Sequence, residues 1–223
     1  MNFFETVQEP VSTGGNYIKA GINEKLVFDG FSIKIDKNGN PMLVRTFYPE
    51  GGDAEKTSRS QYESFSQGVR TDRTGKQISN YVSWVTSVLH FLDALTTRKQ
   101  ASSVMFTTLP VPESDSDDIA VTQAQLEAFV DAINPIVKGK VVRYKFVGEE
   151  KESTKEAGKI ITVANLKVAF VPYAEAMTEG CEKPVLAETK LRFNPESKWD
   201  VKKMIPIAPD VDTFGSSDTS AGF

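Results

Sequence analysis

The chain has 223 residues, 39% of them hydrophobic, which is enough to fill one sizeable core, and one compact domain is expected. Its formal charge of −4 excludes a protein that coats duplex DNA or an anionic membrane through bulk positive charge. The single cysteine, Cys181, excludes an internal disulfide and any zinc site built on two thiolates; without a secretion-type leader or a long apolar run, the expectation is a cytoplasmic protein with no membrane association.

Residues 1–23 read as a Gly-rich, extended arm with turn chemistry at Gly14-Gly15. EKLVFDGFSIKID and PMLVRTFYPE follow, two strand-like runs rich in β-branched and aromatic residues, separated by KNGN. Asn-Gly between such runs predicts a hairpin closed by a type I′ turn. Residues 50–77 are polar and rich in Gly and Ser, and they predict a long loop or mobile insertion with a local surplus of cations.

Next, Tyr81, Trp84, Val85, Val88, Leu89, Phe91, Leu92 and Leu95 recur at three- and four-residue spacings behind Ser79, which predicts an amphipathic helix over about 79–97 with Ser79 as its N-cap. An acidic linker leads to a second helix over about 119–136, with Asp117 and Asp118 at its start and Leu126, Phe129, Val130 and Ile133 on its buried side. KVVRYKFVG reads as a strand, KIITVANLKVAFVPY as one bent strand or two, and residues 178–203 as short strand-like pieces broken by Pro and Gly. From Met204 onward the only charged side chains are Asp210, Asp212 and Asp218, and the chain ends on Phe223.

Strands on both sides of a helical middle favour an antiparallel core over a regularly alternating parallel sheet. The expected class is α+β, mainly β: an antiparallel barrel of the oligonucleotide-binding (OB) type over residues 1–203 with inserted helices, and a flexible, mildly acidic tail over 204–223.

Motifs for chemistry are missing. His90, the only histidine, falls with Ser83, Ser87, Asp93 and Thr97 on the polar helix face and reads as solvated. Glu113, Asp115, Asp117 and Asp118 lack the turn Gly and distal Glu of an EF-hand. Neither a phosphate-binding loop nor a Gly-x-Ser-x-Gly elbow occurs. No catalytic residue, metal or cofactor is therefore expected, and the chain does not read as an enzyme.

What the residues do offer is a binding constellation. Lys34 and Arg45 accompany Phe31, Phe47 and Tyr48 in the hairpin, and Lys140, Arg143 and Lys145 interleave with Tyr144 and Phe146 in the later strand. Unpaired nucleic acid is held by this mixture, with cations along the phosphates and aromatic faces against the bases. Alternation puts Arg45 and Phe47 on one strand face, but puts Arg143 and Lys145 opposite Tyr144 and Phe146. The alternative is that the aromatics are ordinary core and the cations ordinary solvated faces. Arg59, Arg70 and Arg73 in the polar segment could close over a strand as a flap.

AGINEKLVFDGFSIKIDKNGNPMLVRTFYPEGG, KVVRYKFVG, KVAFVPYAEAM and the tail ending in Phe223 together resemble a bacteriophage single-stranded DNA-binding protein. That resemblance implies an OB barrel that binds single strands with little sequence preference in replication, recombination or repair, in the host cytoplasm. It also implies that Asp210, Asp212, Asp218 and Phe223 form a tail docking on replication or recombination proteins. Arg45, Phe47, Arg143 and Lys145 would be strand contacts. A homodimer is left open. The competing expectation is a virion or scaffold-type structural protein that bridges neighbours through its arm and tail.

Overall fold

One long strand organises the fold. In the computed structural model, which describes residues 17–64, 67–167, 173–176 and 193–204, β1 (Gly21–Ile35) pairs antiparallel with β2 (Pro41–Pro49) on one edge and with β6 (Val141–Phe146) on the other. Its register breaks twice, between Asn23 and Leu26 against β6 and between Phe28 and Gly30 against β2. Such irregularities bend a strand and raise its twist, which lets β1 serve two neighbours along a curve. β3 (Arg59–Ser64) adds beyond β2, and β9 (Tyr173–Ala176) beyond β6. The result is a mixed α+β fold in which a five-stranded antiparallel sheet, ordered β3-β2-β1-β6-β9, curls into a half-barrel.

A second sheet continues from β6. β7 (Gly148–Glu152) pairs with β8 (Ile160–Ala164) on one side and, in parallel, with β10 (Val201–Lys202) on the other. Just past β8 the chain returns to the free edge of β3, where the Tyr62 amide donates to the Leu166 carbonyl at 2.8 Å and Tyr62 forms a parallel bridge with Lys167.

The expected first hairpin is present, but its turn differs. Residues 36–40 form a five-residue connection in which Gly39 alone has positive φ, at +85°. Asp36 is the reason: its carboxylate accepts from the amides of Asn38 and Asn40, both at 2.8 Å, and holds a tighter turn ahead of the glycine. The same chemistry recurs at Asp72, which accepts from the amides of Thr74 and Lys76 and closes β4 (Val69–Thr71) on β5 (Gln77–Ser79). Residues 50–77 are thus not the long loop expected; they carry the short helix α1 (Ala54–Thr57), β3 and the β4–β5 hairpin. β3 is an edge strand and β4 is exposed along its length, so neither shows the apolar alternation that marks a half-buried strand.

α2 (Asn80–Leu92) starts as expected, the Ser79 hydroxyl accepting from the Val82 amide at 3.0 Å. It stops at Leu92, however, and a separate helix that the periodicity does not predict, α3 (Arg98–Thr108), follows behind a Thr97 cap. α4 (Gln123–Val137) begins later than expected, because Thr122 and Gln125 form a reciprocal capping box and Asp117 and Asp118 remain in the loop. α2 plugs the half-barrel. Its Phe91 ring lies 5.1 Å from Phe28, 5.9 Å from Phe47 and 6.0 Å from Tyr144, all buried. α4 is pinned to β1 by Asn134, whose side chain accepts from the Phe31 amide at 2.8 Å and donates to its carbonyl at 2.9 Å.

Candidate nucleic-acid interface

Strand alternation sorts side chains into two faces, and packing decides which face is wet. On β2, Arg45 and Phe47 do share a face, but it is the inner one, and both have 0% exposure. Phe47 packs on Phe28, Tyr144 and Phe146. Arg45 is a buried cation whose Nη2 meets Glu63 Oε2 at 2.5 Å and whose guanidinium lies 4.6 Å from the centre of the Phe91 ring. On β6, Tyr144 also faces inward; its hydroxyl donates to Gln61 Oε1 at 2.7 Å, and burial pushes its pKa up to about 12. Lys145 faces the other way yet is covered, because residues 193–204 fold over it and set Asp200 against its ammonium. Arg45, Phe47, Tyr144 and Lys145 are thereby corrected from strand contacts to interior residues.

Five more of the cations and aromatics that the sequence marks as strand contacts are dispersed. Arg143 is ion-paired with Glu24 at 2.8 Å, and half-buried Lys140 donates to the Leu95 carbonyl at 2.5 Å. Tyr48 is half-buried on β2, Arg59 is exposed and donates to the Ser58 carbonyl, and Arg73 is exposed in the β4–β5 turn. None of these five lines the cleft described next. Asp210, Asp212, Asp218 and Phe223 lie outside the described residues.

An open cleft of about 830 Å³ forms where the end of β8 meets β3. α2 supplies one wall through Asn80, Ser83, Trp84 and Ser87, spaced three and four apart and therefore on one helix face. Glu149 and Lys151 of β7 and residues 165–167 supply another, and β3 contributes Tyr62, Glu63 and Ser64. Arg70 reaches in from β4, its Nη2 3.3 Å from Ser83 Oγ. Lys34 of β1 does not line the cleft but sits against it, its ammonium 5.2 Å from the centre of the Tyr62 ring.

The β4–β5 hairpin that carries Arg70 is held by the acidic loop. Lys76 is ion-paired with Asp115, the Ser79 amide donates to the Asp115 carbonyl at 2.7 Å, and the Gly68 amide donates to Asp118 Oδ1 at 2.8 Å. Hydrogen bonding and attraction from Asp115 raise the Lys76 pKa above its ordinary value. Those acids thus position the hairpin, and among the described residues no cluster of three His, Cys, Asp or Glu could hold a metal ion.

Within the cleft, Arg70, Lys151 and Lys167 face two carboxylates that are both engaged. Glu63 is tied to Arg45, and Glu149 pairs with Lys151 at 3.2 Å and Lys202 at 3.7 Å. The sequence pattern marks Lys34 and Arg70 but misses Tyr62, Glu63, Lys151 and Lys167. Cations are visible as residue types, whereas the contact that brings residues 165–167 to β3 spans about a hundred residues and leaves no local pattern. Among the described residues no helix is long and apolar enough to cross a membrane. No protein-family model matches the chain, and no curated protein matches it significantly.

Proposed function

We propose that the chain is a sequence-nonspecific single-stranded DNA-binding protein of a bacteriophage, built on a barrel of the OB type, that protects unpaired strands during DNA replication, recombination or repair. The observation that carries this reading is the cleft itself. Arg70, Lys151 and Lys167 line it together with Tyr62, whose ring also has the Lys34 ammonium 5.2 Å from its centre, where the chain just past β8 approaches β3. Cations in such a cleft follow a phosphate backbone by charge alone, and an aromatic face accepts any base, at about 1–3 kcal/mol per stacked base. An OB barrel is a partly open five-stranded barrel that binds oligonucleotides on the face of its second and third strands and on adjoining loops. The tail residues Asp210, Asp212, Asp218 and Phe223 enter the proposal as a docking segment for replication or recombination proteins.

Binding of a labelled oligo-dT strand at low and rising salt tests the reading. The wild-type chain is expected to bind at low salt and to weaken steeply as salt rises. Arg70→Ala with Lys167→Ala, both on exposed side chains, should lower affinity about tenfold or more and flatten the salt slope by about 1.4, two single-strand phosphate contacts at about 0.7 each. Arg59→Ala, outside the cleft, should leave binding unchanged. A wild-type chain that leaves the strand unbound at low salt, or a double variant that binds like wild type, overturns the proposal. Sedimentation as a large assembly without DNA would favour the virion or scaffold role instead.

A further inference from the structure

Glu63 is an odd residue to find in a cleft that takes a polyanion. Its side chain is only 11% exposed, the least of the charged groups that line the cleft. Arg45 holds Oε2 at 2.5 Å, and the Ser87 hydroxyl donates to Oε1 at 3.2 Å. The carboxylate is therefore fixed in place by β2 on one side and α2 on the other. A carboxylate oxygen can accept two hydrogen bonds, so each oxygen retains one acceptor position. Lys34 and Lys167, in contrast, are exposed.

This arrangement polarises the cleft: its fixed acceptor is its least exposed charged group, and the cations Arg70, Lys151 and Lys167 are all more exposed. A phosphate driven toward Glu63 would find acceptor oxygens where it needs donors, and a negative charge that Arg45 behind it offsets only in part. Phosphates are thus confined to the exposed cations and bases turn inward. Polar hydrogens are what a base must then present to the carboxylate. Cytosine N4 and adenine N6 carry amino groups that donate. Thymine and uracil place the O4 carbonyl where cytosine has its amino group, and their N3–H is flanked by carbonyls on both sides. An acceptor facing an acceptor is a lost hydrogen bond and a repulsion together.

We propose that Glu63 is a specificity-determining residue that reads a base edge, giving the cleft a preference for amino-bearing bases over thymine and uracil. The inference rests on the strand-binding reading and adds a bias in base composition to it. One fixed carboxylate reads one nucleotide, so no sequence is specified.

Fluorescence anisotropy with oligo-dC and oligo-dU strands of equal length, at one salt concentration and pH 7.5, tests it, because the two pyrimidines differ at the position that faces Glu63. The wild-type chain is expected to bind oligo-dC about fivefold or more tightly. Glu63→Gln, which keeps an oxygen for Arg45 but removes the charge, should bring the ratio to within about twofold. Ser87→Ala, a milder change that removes the α2 hydrogen bond fixing Oε1 and so loosens the carboxylate, should narrow it. Equal binding of both strands by wild type, a preference for oligo-dU, or an unchanged ratio in a folded Glu63→Gln variant overturns the role of Glu63 alone. Absence of binding to either strand overturns the strand-binding reading with it.

Discussion

Arg45 is fully buried, yet it is charged, and its carboxylate partner comes from the neighbouring strand. A buried guanidinium has given up water and regains part of that cost from Glu63 and from the Phe91 ring. The two residues of the pair are therefore unequal. Glu63→Ala leaves the cation inside without its carboxylate and should cost about 3–5 kcal/mol of stability. Arg45→Met fills the same space without a charge, and Glu63 at the cleft retains some access to water, so its loss should be smaller, about 1–2 kcal/mol. Urea denaturation of the two variants measures the difference. A loss in Arg45→Met equal to or above that in Glu63→Ala would show that the pair is not held as described.

At the scale of elements, two glycines of β1 and its turn separate strain from crowding. Gly39 has φ +85°, and a Cβ there would meet nothing within 4 Å, so Gly39→Ala should cost only the left-handed penalty, about 1–2 kcal/mol. Gly30 has φ +112°, and a Cβ there would lie 2.9 Å from Asn134 Oδ1, the atom that accepts from the Phe31 amide. Gly30→Ala should therefore cost more than Gly39→Ala, since it also disturbs the anchor of α4; equal melting temperatures would refute that coupling. The hairpin, α2 and β6 are legible in the sequence because each buries one periodic face. The edge strand β3 and the β4–β5 hairpin are not, having no apolar period to read. α3 does leave a sign, Thr97 followed three residues later by Gln100, the same spacing that caps α4 at Thr122 and Gln125. For the site, alternation correctly groups Arg45 with Phe47 but gives no absolute face. Glu63 lies 18 residues from Arg45 and Asp200 lies 55 from Lys145, so the burial of both cations is decided by partners that no local pattern announces.

Across the whole molecule, residues 193–204 act as a strap over the open side of β6. Phe193 packs against Gly21 at the start of β1, the Gly148 amide donates to the Asp200 carbonyl at 2.7 Å, and Asp200 Oδ2 accepts from the Asn194 amide at 2.7 Å. Lys203 pairs with Glu150 at 3.0 Å, and that contact holds the Glu150 carboxyl below its ordinary pKa. Lys145 and Asp200 are the buried link in this strap, which gives Lys145 a structural part where the sequence suggested a DNA contact. The two roles predict different outcomes. Asp200→Ala removes a carboxylate from beside a buried ammonium and should lower stability by about 1–3 kcal/mol, with the Gly148 amide losing hydrogen-exchange protection. Lys145→Met combined with Asp200→Asn removes both charges but leaves a side-chain oxygen for the Asn194 amide, and it should recover most of that stability while binding oligo-dT as the wild-type chain does. Denaturation and strand binding measured on the same two variants decide the matter. A double variant that is stable but has lost the strand would return Lys145 to the interface.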